Sequence, residues 1–192
     1  MQQANTRRVL QYLPNSLTLL RLLLALPLGA AILRSDYSLA LAIGLLAGVS
    51  DALDGYSARR LQAFSKFGAA LDPIADKTLI TVCFVCFAQT GLVDWYLALL
   101  VIGRDAVIVC GAIAYRLLYG PFEFAATALS KGNMFVQICF CLVLLLAQVM
   151  VSIPPWMVPA TTVAVVLLAI ASGSDYVVRW SLRARHAHNS RH

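Results

Sequence analysis

The sequence predicts an all-α fold, an integral membrane bundle of six transmembrane helices. Of its 192 residues, 60% are hydrophobic and only 12% are charged, whereas a soluble domain carries about 25% charged residues. The apolar residues also recur in long stretches along the whole chain, and a helix needs roughly 20 of them to cross a bilayer. We therefore predict one membrane domain over residues 1–192, with no separate soluble domain.

The six predicted spans follow the apolar stretches in order. They cover residues 17–33, 38–59, 68–88, 95–118, 134–151 and 156–178. Before the first span, an amphipathic segment over residues 6–13 predicts a short N-terminal interfacial helix. The five cysteines all fall in apolar segments, so we read them as small buried hydrophobes and predict no disulfide.

Basic residues gather on one face of this predicted bundle. With both termini on one side, that face receives most of the 15 Lys and Arg residues, whereas the opposite loops receive only Arg34. The positive-inside rule then places both termini in the cytoplasm. A basic face suits anionic headgroups or an anionic substrate. Nucleic-acid binding is not expected, because the basic residues lie close to the ends of the spans.

Four acidic residues lie at the cytoplasmic ends of two consecutive spans. Asp51 and Asp54 close the second span, and Asp72 and Asp76 open the third. Spacings of three and four residues place each pair on one side of its helix. The linker between the two spans is short, so we expect the helices to be antiparallel neighbours. The four carboxylates are then predicted to converge in one cleft, on the cytoplasmic side.

A divalent metal ion would remove the repulsion between carboxylates at that distance. Oxygen ligands without His or Cys suit Mg²⁺ or Mn²⁺, and two such ions suit phosphoryl transfer. Small residues beside the acids would let a flat group approach the helices, and Arg59 is placed to bind a phosphate. The alternative is a buried ion-pair network with nearby cations, but it leaves those small residues unexplained. These cations are Arg59, Arg60, Lys66 and Lys77.

The whole motif is the run Asp51-Ala-Leu-Asp54-Gly55-Tyr-Ser-Ala58-Arg59, with Gly68, Asp72 and Asp76 behind it. Its eight fixed positions resemble the signature of the CDP-alcohol phosphatidyltransferases. The resemblance implies a homodimeric membrane enzyme of six helices that joins a CDP-activated lipid to an alcohol and releases CMP. It implies that the four aspartates bind two metal ions and that Asp76 is also the general base. The implied nucleotide and diphosphate contacts are Asp51, Asp54, Gly55, Ala58, Arg59, Gly68 and Asp72.

Resemblance outside the motif bears on the acceptor alcohol. Residues 14–21 and 71–77 are similar both to phosphatidylglycerophosphate synthases and to CMP-forming cardiolipin synthases. Residues 103–105 and 129–137 resemble the cardiolipin synthases more, although Met134 departs from their usual Thr. Asn133 stands where the glycerophosphate enzymes tend to carry a second Lys, which a small dianion such as glycerol 3-phosphate would need. We therefore expect transfer from CDP-diacylglycerol to phosphatidylglycerol, with glycerol 3-phosphate as the alternative acceptor.

Candidate acceptor-binding residues are Arg104, Arg116, Lys131 and Asn133. Arg104 and Asp105 could instead be a buried structural pair, and snorkelling to the interface could account for Arg116. Three other classes remain open: an intramembrane prenyltransferase, a cation transporter or channel, and a non-catalytic assembly protein. Binding of CDP or CMP with a divalent metal would separate the transferase from these classes.

Overall fold

Helices make up nearly all of the described chain. The computed structural model describes residues 19–61, 66–119, 127–150 and 152–189. For residues 51–61, 66–76, 115, 118–119 and 180–189 this description stops at the backbone. The helices are α1 (Leu19–Leu33), α2 (Tyr37–Leu61), α3 (Lys66–Gln89), α4 (Trp95–Tyr119), α5 (Ala128–Val149) and α6 (Met157–Asn189). No strand occurs in these ranges, which confirms the predicted all-α class.

Three described stretches are long and apolar enough to cross a membrane. They are Trp95–Ala114, Ala128–Val149 and Met157–Arg179. Three further apolar stretches are shorter, at 10–17 residues: Leu19–Leu33, Tyr37–Ser50 and Lys77–Gln89. The composition and these helices indicate a membrane protein, with three of the six predicted spans meeting the length criterion in the described part. The predicted interfacial helix over residues 6–13 lies outside the described residues.

A tight turn joins α1 to α2. Ser35 has a positive φ of 59°, and the amide of Asp36 donates to the carbonyl of Ala31 at 2.9 Å. The Asp36 carboxylate then accepts from the amide of Leu39 at 3.1 Å, which caps the N-terminus of α2. At the end of α3, Gly91 supplies a second positive φ, of 74°, as expected for a residue just past a helix C-terminus.

The last two helices differ from the predicted spans at one end each. α5 begins at Ala128 rather than near residue 134, because the Thr127 hydroxyl caps it by accepting from the amide of Ser130 at 3.2 Å. α6 continues to Asn189, beyond the predicted end at residue 178. Apolar patterning locates the part of a helix that suits lipid, whereas caps and breakers locate its ends.

The chain divides into two units, residues 1–93 with 148–151 and residues 94–147 with 152–192. In the first unit α1 approaches α3 closely at Gly29. A Cβ atom at this position would lie 2.9 Å from Val82 Cγ1 and 3.3 Å from Cys86 Sγ. In the second unit α4 packs against α6, and this unit contains the polar cluster described below.

Candidate functional site

The predicted metal and nucleotide motif occupies the end of α2 and the start of α3. Asp51 and Asp54 fall within continuous α2, and Asp72 and Asp76 fall within continuous α3. Helical backbone at all four positions supports the expectation that each pair shares a helix side. The side chains of the whole motif, with Gly55, Ala58, Arg59 and Gly68, lie outside the described residues. Among the described side chains, no group of three His, Cys, Asp or Glu residues is placed to hold a metal ion.

The second unit contains a buried polar cluster built around Arg104 of α4. The guanidinium Nη1 pairs with the Asp105 carboxylate. Its Nη2 donates to Ser130 Oγ of α5 at 2.9 Å and to Ser172 Oγ of α6. We call these four residues the Arg104 cluster. One side chain thereby connects three helices, and the Arg104–Asp105 pair that the sequence left as an alternative is present.

Burial makes these contacts matter for stability. Arg104 is 8% exposed and Ser172 is 0% exposed, and an arginine inside a membrane protein is tolerated when acidic or polar partners satisfy it. Its stem packs beside Gly173, where a Cβ atom would lie at an ordinary contact distance of 3.6 Å from Arg104 Cγ. The cluster therefore fixes the relative positions of α4, the first turn of α5, and the middle of α6.

A second contact ties the start of α5 to α6. The amide of Thr127 donates to the Tyr176 hydroxyl at 3.5 Å, while the Thr127 hydroxyl caps α5. Tyr176 is buried on α6, one turn beyond Ser172. The first turns of α5 are therefore held by its cap, by Tyr176 and by Arg104.

Two buried amides on α5 have side-chain atoms without a hydrogen-bond partner. Asn133 is 0% exposed and Gln137 is 2% exposed. Neither side-chain polar atom of Asn133, nor Nε2 of Gln137, has a hydrogen-bond partner among the described residues. Leaving a buried polar group unsatisfied costs about 1–3 kcal/mol, so such groups require an explanation in a native structure.

The four candidate acceptor residues divide by position. Arg104 contacts Ser130, next to Lys131 and one turn from Asn133, so three of the four lie around the start of α5. Arg116 lies twelve residues further along α4, about 18 Å from Arg104 along the helix axis. Lys131 and Arg116 are exposed, whereas Arg104 and Asn133 are buried.

Sequence reasoning did not assign Ser172, Tyr176 or Gln137 to the site. Ser172 and Arg104 are 68 positions apart, and no local pattern links them. Gln137 did give a signal, since it is the last residue of the stretch 129–137 that resembles the cardiolipin synthases. Arg21 of α1, which lies in the stretch 14–21 that resembles both groups of synthases, is 2% exposed.

Comparison with known proteins decides the family. The sequence profile described as CDP-alcohol phosphatidyltransferase matches residues 11–177. The chain belongs to the CDP-alcohol phosphatidyltransferase family. The matched residues belong to both units of the structure. They include the Arg104 cluster of the second unit as well as the aspartate motif.

Relatives in the family carry different names. The human cardiolipin synthase (CMP-forming) is 34% identical over 142 residues, which cover 66% of this chain and 47% of that protein. A probable phosphatidylglycerophosphate synthase from Mycobacterium tuberculosis is 34% identical over 176 residues, covering 87% of this chain and 80% of that protein. A CDP-diacylglycerol–glycerol-3-phosphate 3-phosphatidyltransferase from Pseudomonas fluorescens is 37% identical over 102 residues, covering 50% and 52%. The chain thus spans about half the length of the human relative.

Proposed function

We propose that the protein transfers a phosphatidyl group from CDP-diacylglycerol to an alcohol and releases CMP. The acceptor hydroxyl oxygen attacks the phosphorus of the phosphatidyl group. A new phosphorus–oxygen ester bond forms, the bond from that phosphorus to the oxygen of the CMP moiety breaks, and CMP leaves. The family match over residues 11–177 carries this proposal, together with the intact eight-position motif on α2 and α3.

The donor set of the motif fits a divalent ion. Four carboxylates with no His or Cys among them match the oxygen ligands that Mg²⁺ and Mn²⁺ prefer. We propose that Asp51, Asp54, Asp72 and Asp76 hold two such ions. When bound, the ions supply Lewis-acid stabilisation of charge on the diphosphate.

The residues of the motif have separate proposed tasks. Asp76 accepts the proton of the acceptor hydroxyl as general base. Arg59 binds the diphosphate through its fork of donors, and small residues give the cytidine access to the helix backbone. These small residues are Gly55, Ala58 and Gly68.

For the acceptor we propose phosphatidylglycerol, which would give cardiolipin, bound by Arg104, Arg116, Lys131 and Asn133. The observation behind this choice is the neutral, fully buried amide of Asn133 beside the exposed Lys131. A dianionic phosphate favours several cations, whereas a monoanionic diester needs fewer. Arg104 already bonds to Asp105 and two serines. Its part in acceptor binding is therefore to hold the start of α5 in place.

Glycerol 3-phosphate is the second candidate acceptor. One observation favours it: the relative from Mycobacterium tuberculosis, which covers 87% of this chain, is named a probable phosphatidylglycerophosphate synthase. In that case Lys131 would bind the phosphate of the acceptor, and Asn133 its glycerol.

We propose that α1, α2 and α3 also span the membrane, giving six spans in a homodimer. α2 and α3 have 25 and 24 residues, about 36–38 Å of helix, which exceeds a bilayer core of about 30 Å. Their acidic residues then lie at the cytoplasmic end, with both termini and the active site facing the cytoplasm.

Release of CMP tests the function directly. The purified protein receives CDP-diacylglycerol and Mg²⁺ or Mn²⁺, with phosphatidylglycerol, glycerol 3-phosphate, serine or inositol phosphate in parallel reactions. We expect CMP release with phosphatidylglycerol and none in EDTA. Release with glycerol 3-phosphate alone would replace the proposed acceptor by the second candidate. A folded protein that releases no CMP with any acceptor would contradict the proposed transfer.

A further inference from the structure

Asn133 and Gln137 lie on one side of α5, four residues and about 6 Å apart along the helix. Both are fully or nearly fully buried. The two amides do not bond to each other, because both Asn133 atoms have no partner among the described residues. The rest of the buried side of α5 carries no amide. It consists of Phe140, Cys141, Leu144 and Leu145.

The chemistry of the pair defines what it would bind. Each amide offers N–H donors and a carbonyl acceptor and carries no charge. A hydroxyl both donates and accepts, and an ester carbonyl accepts, so an amide pair matches the uncharged oxygens of a glycerolipid. A phosphate would be served better by Arg or Lys, and Lys131 stands exposed two residues before Asn133.

We propose that Asn133 and Gln137 form a neutral subsite for the glycerol oxygens of the acceptor lipid, with Gln137 as a specificity-determining residue. This inference rests on the proposed function and names which part of the acceptor α5 recognises. Gln137 lies beyond Asn133 from the start of α5, so it contacts a part of the acceptor that glycerol 3-phosphate is too short to supply. Both amides are covered in this conformation, so lipid binding displaces the side chains that cover them.

A purely structural role makes a different prediction. A structural glutamine in an apolar helix face would have its hydrogen bonds made within the protein, and its loss would lower stability. An unsatisfied glutamine weakens the fold until ligand binds, so leucine at the same position leaves the fold as stable or more stable.

The experiment compares Gln137→Leu with Gln148→Leu, a control that replaces an exposed glutamine on the same helix. Thermal unfolding and steady-state CMP release are measured for both variants and for the wild-type protein. For Gln137→Leu we expect an unchanged or higher Tm, a KM for phosphatidylglycerol raised at least about tenfold, and an unchanged KM for CDP-diacylglycerol. The control keeps all three values.

Several results would overturn the subsite. The first is a lowered Tm of the Gln137→Leu variant. The second is an unchanged KM for the acceptor, which is the result expected if a buried water binds the amides. The third is a raised KM for the donor alone. Failure of the proposed function would look different, because the wild-type protein itself would release no CMP. In that event the thermal shift caused by phosphatidylglycerol is compared between the unsubstituted protein and Gln137→Leu. A shift that the variant loses supports the subsite. An equal shift in both proteins contradicts it.

Discussion

A single buried cation, Arg104, organises the second unit at the scale of individual residues. Its partners are an adjacent carboxylate and two serines on two other helices. Removing one partner leaves a buried donor without a hydrogen bond. This lowers stability more than the loss of a solvent-exposed hydrogen bond of the same length. Lysine could not reproduce this arrangement, because it has one ammonium group rather than a planar fork.

Ser172→Ala tests this cluster. We expect it to destabilise the protein by about 1–3 kcal/mol and to lower the Tm in detergent. Ser174→Ala is the matched control, since Ser174 is exposed and bonds only to carbonyls of its own helix, Ile170 and Ala171. Equal melting temperatures for the two variants would show that the bond to Arg104 adds no stability.

Asp76→Asn tests the proposed base. The substitution keeps the shape of the side chain but removes its capacity to accept the hydroxyl proton, so CMP release should fall by about 10²–10⁴-fold. Asp94→Asn, at an exposed position just before α4, should retain full activity. Comparable rates for Asp76→Asn and the wild-type protein would remove Asp76 from the chemistry.

At the scale of helices, the start of α5 depends on Thr127. Its hydroxyl satisfies the amide of Ser130, and replacing such a cap costs about 0.5–2 kcal/mol. Thr127→Ala should lower the Tm and also raise the acceptor KM, because Lys131 and Asn133 follow in the next turn. Thr162→Ala is the control, since that hydroxyl bonds only to the Val158 carbonyl of its own helix and contributes little. An acceptor KM equal in both variants would show that the Thr127 cap does not affect acceptor binding.

The contact of α1 with α3 gives a second test at this scale. Gly29→Ala places a Cβ atom 2.9 Å from Val82 Cγ1, so we expect a loss of about 1–3 kcal/mol from overpacking. Gly44→Ala on α2 meets nothing within 4 Å and should leave the protein as stable or slightly more stable. Thermal unfolding of both variants measures this difference. Equal stability of the two variants would mean that α1 and α3 can move apart without a loss of stability.

How far the sequence predicts the structure also depends on scale. Apolar stretches located the helices, and fixed spacing located the aspartate motif, because both signals are local. The early start of α5 depended on Thr127, whose capping role hydropathy does not register. The bond from Arg104 to Ser172 joins residues far apart in sequence, so only the packing of α4 against α6 reveals it. Asn133 and Gln137 both lie in the stretch 129–137 that resembles the cardiolipin synthases, whereas the unpartnered atoms of these two amides are seen only in the structure.

At the scale of the whole molecule, charge asymmetry favours the orientation that we propose for the chain in the membrane. The turn between α1 and α2 and the segment before α6 carry few cations, whereas most of the 15 Lys and Arg residues lie near the opposite ends of the proposed spans. Moving this many cations across a bilayer is strongly unfavourable. The proposed orientation follows from this asymmetry, and it would place the acidic ends of α2 and α3 on the cytoplasmic side, where we propose that the CDP-activated donor binds.

Cysteine labelling tests that orientation. In a background without the five native cysteines, Ser35→Cys and Ser152→Cys mark the turns before α2 and α6, and Asn189→Cys marks the end of α6. A membrane-impermeant maleimide applied to intact cells should label the first two variants, and the third only after permeabilisation. The reverse pattern would place the aspartate motif on the outer face, away from cytoplasmic nucleotides, and so would contradict the orientation and the route of the donor together. Labelling of Ser35→Cys and Ser152→Cys on opposite sides would contradict six spans, because an even number of crossings must separate these two turns.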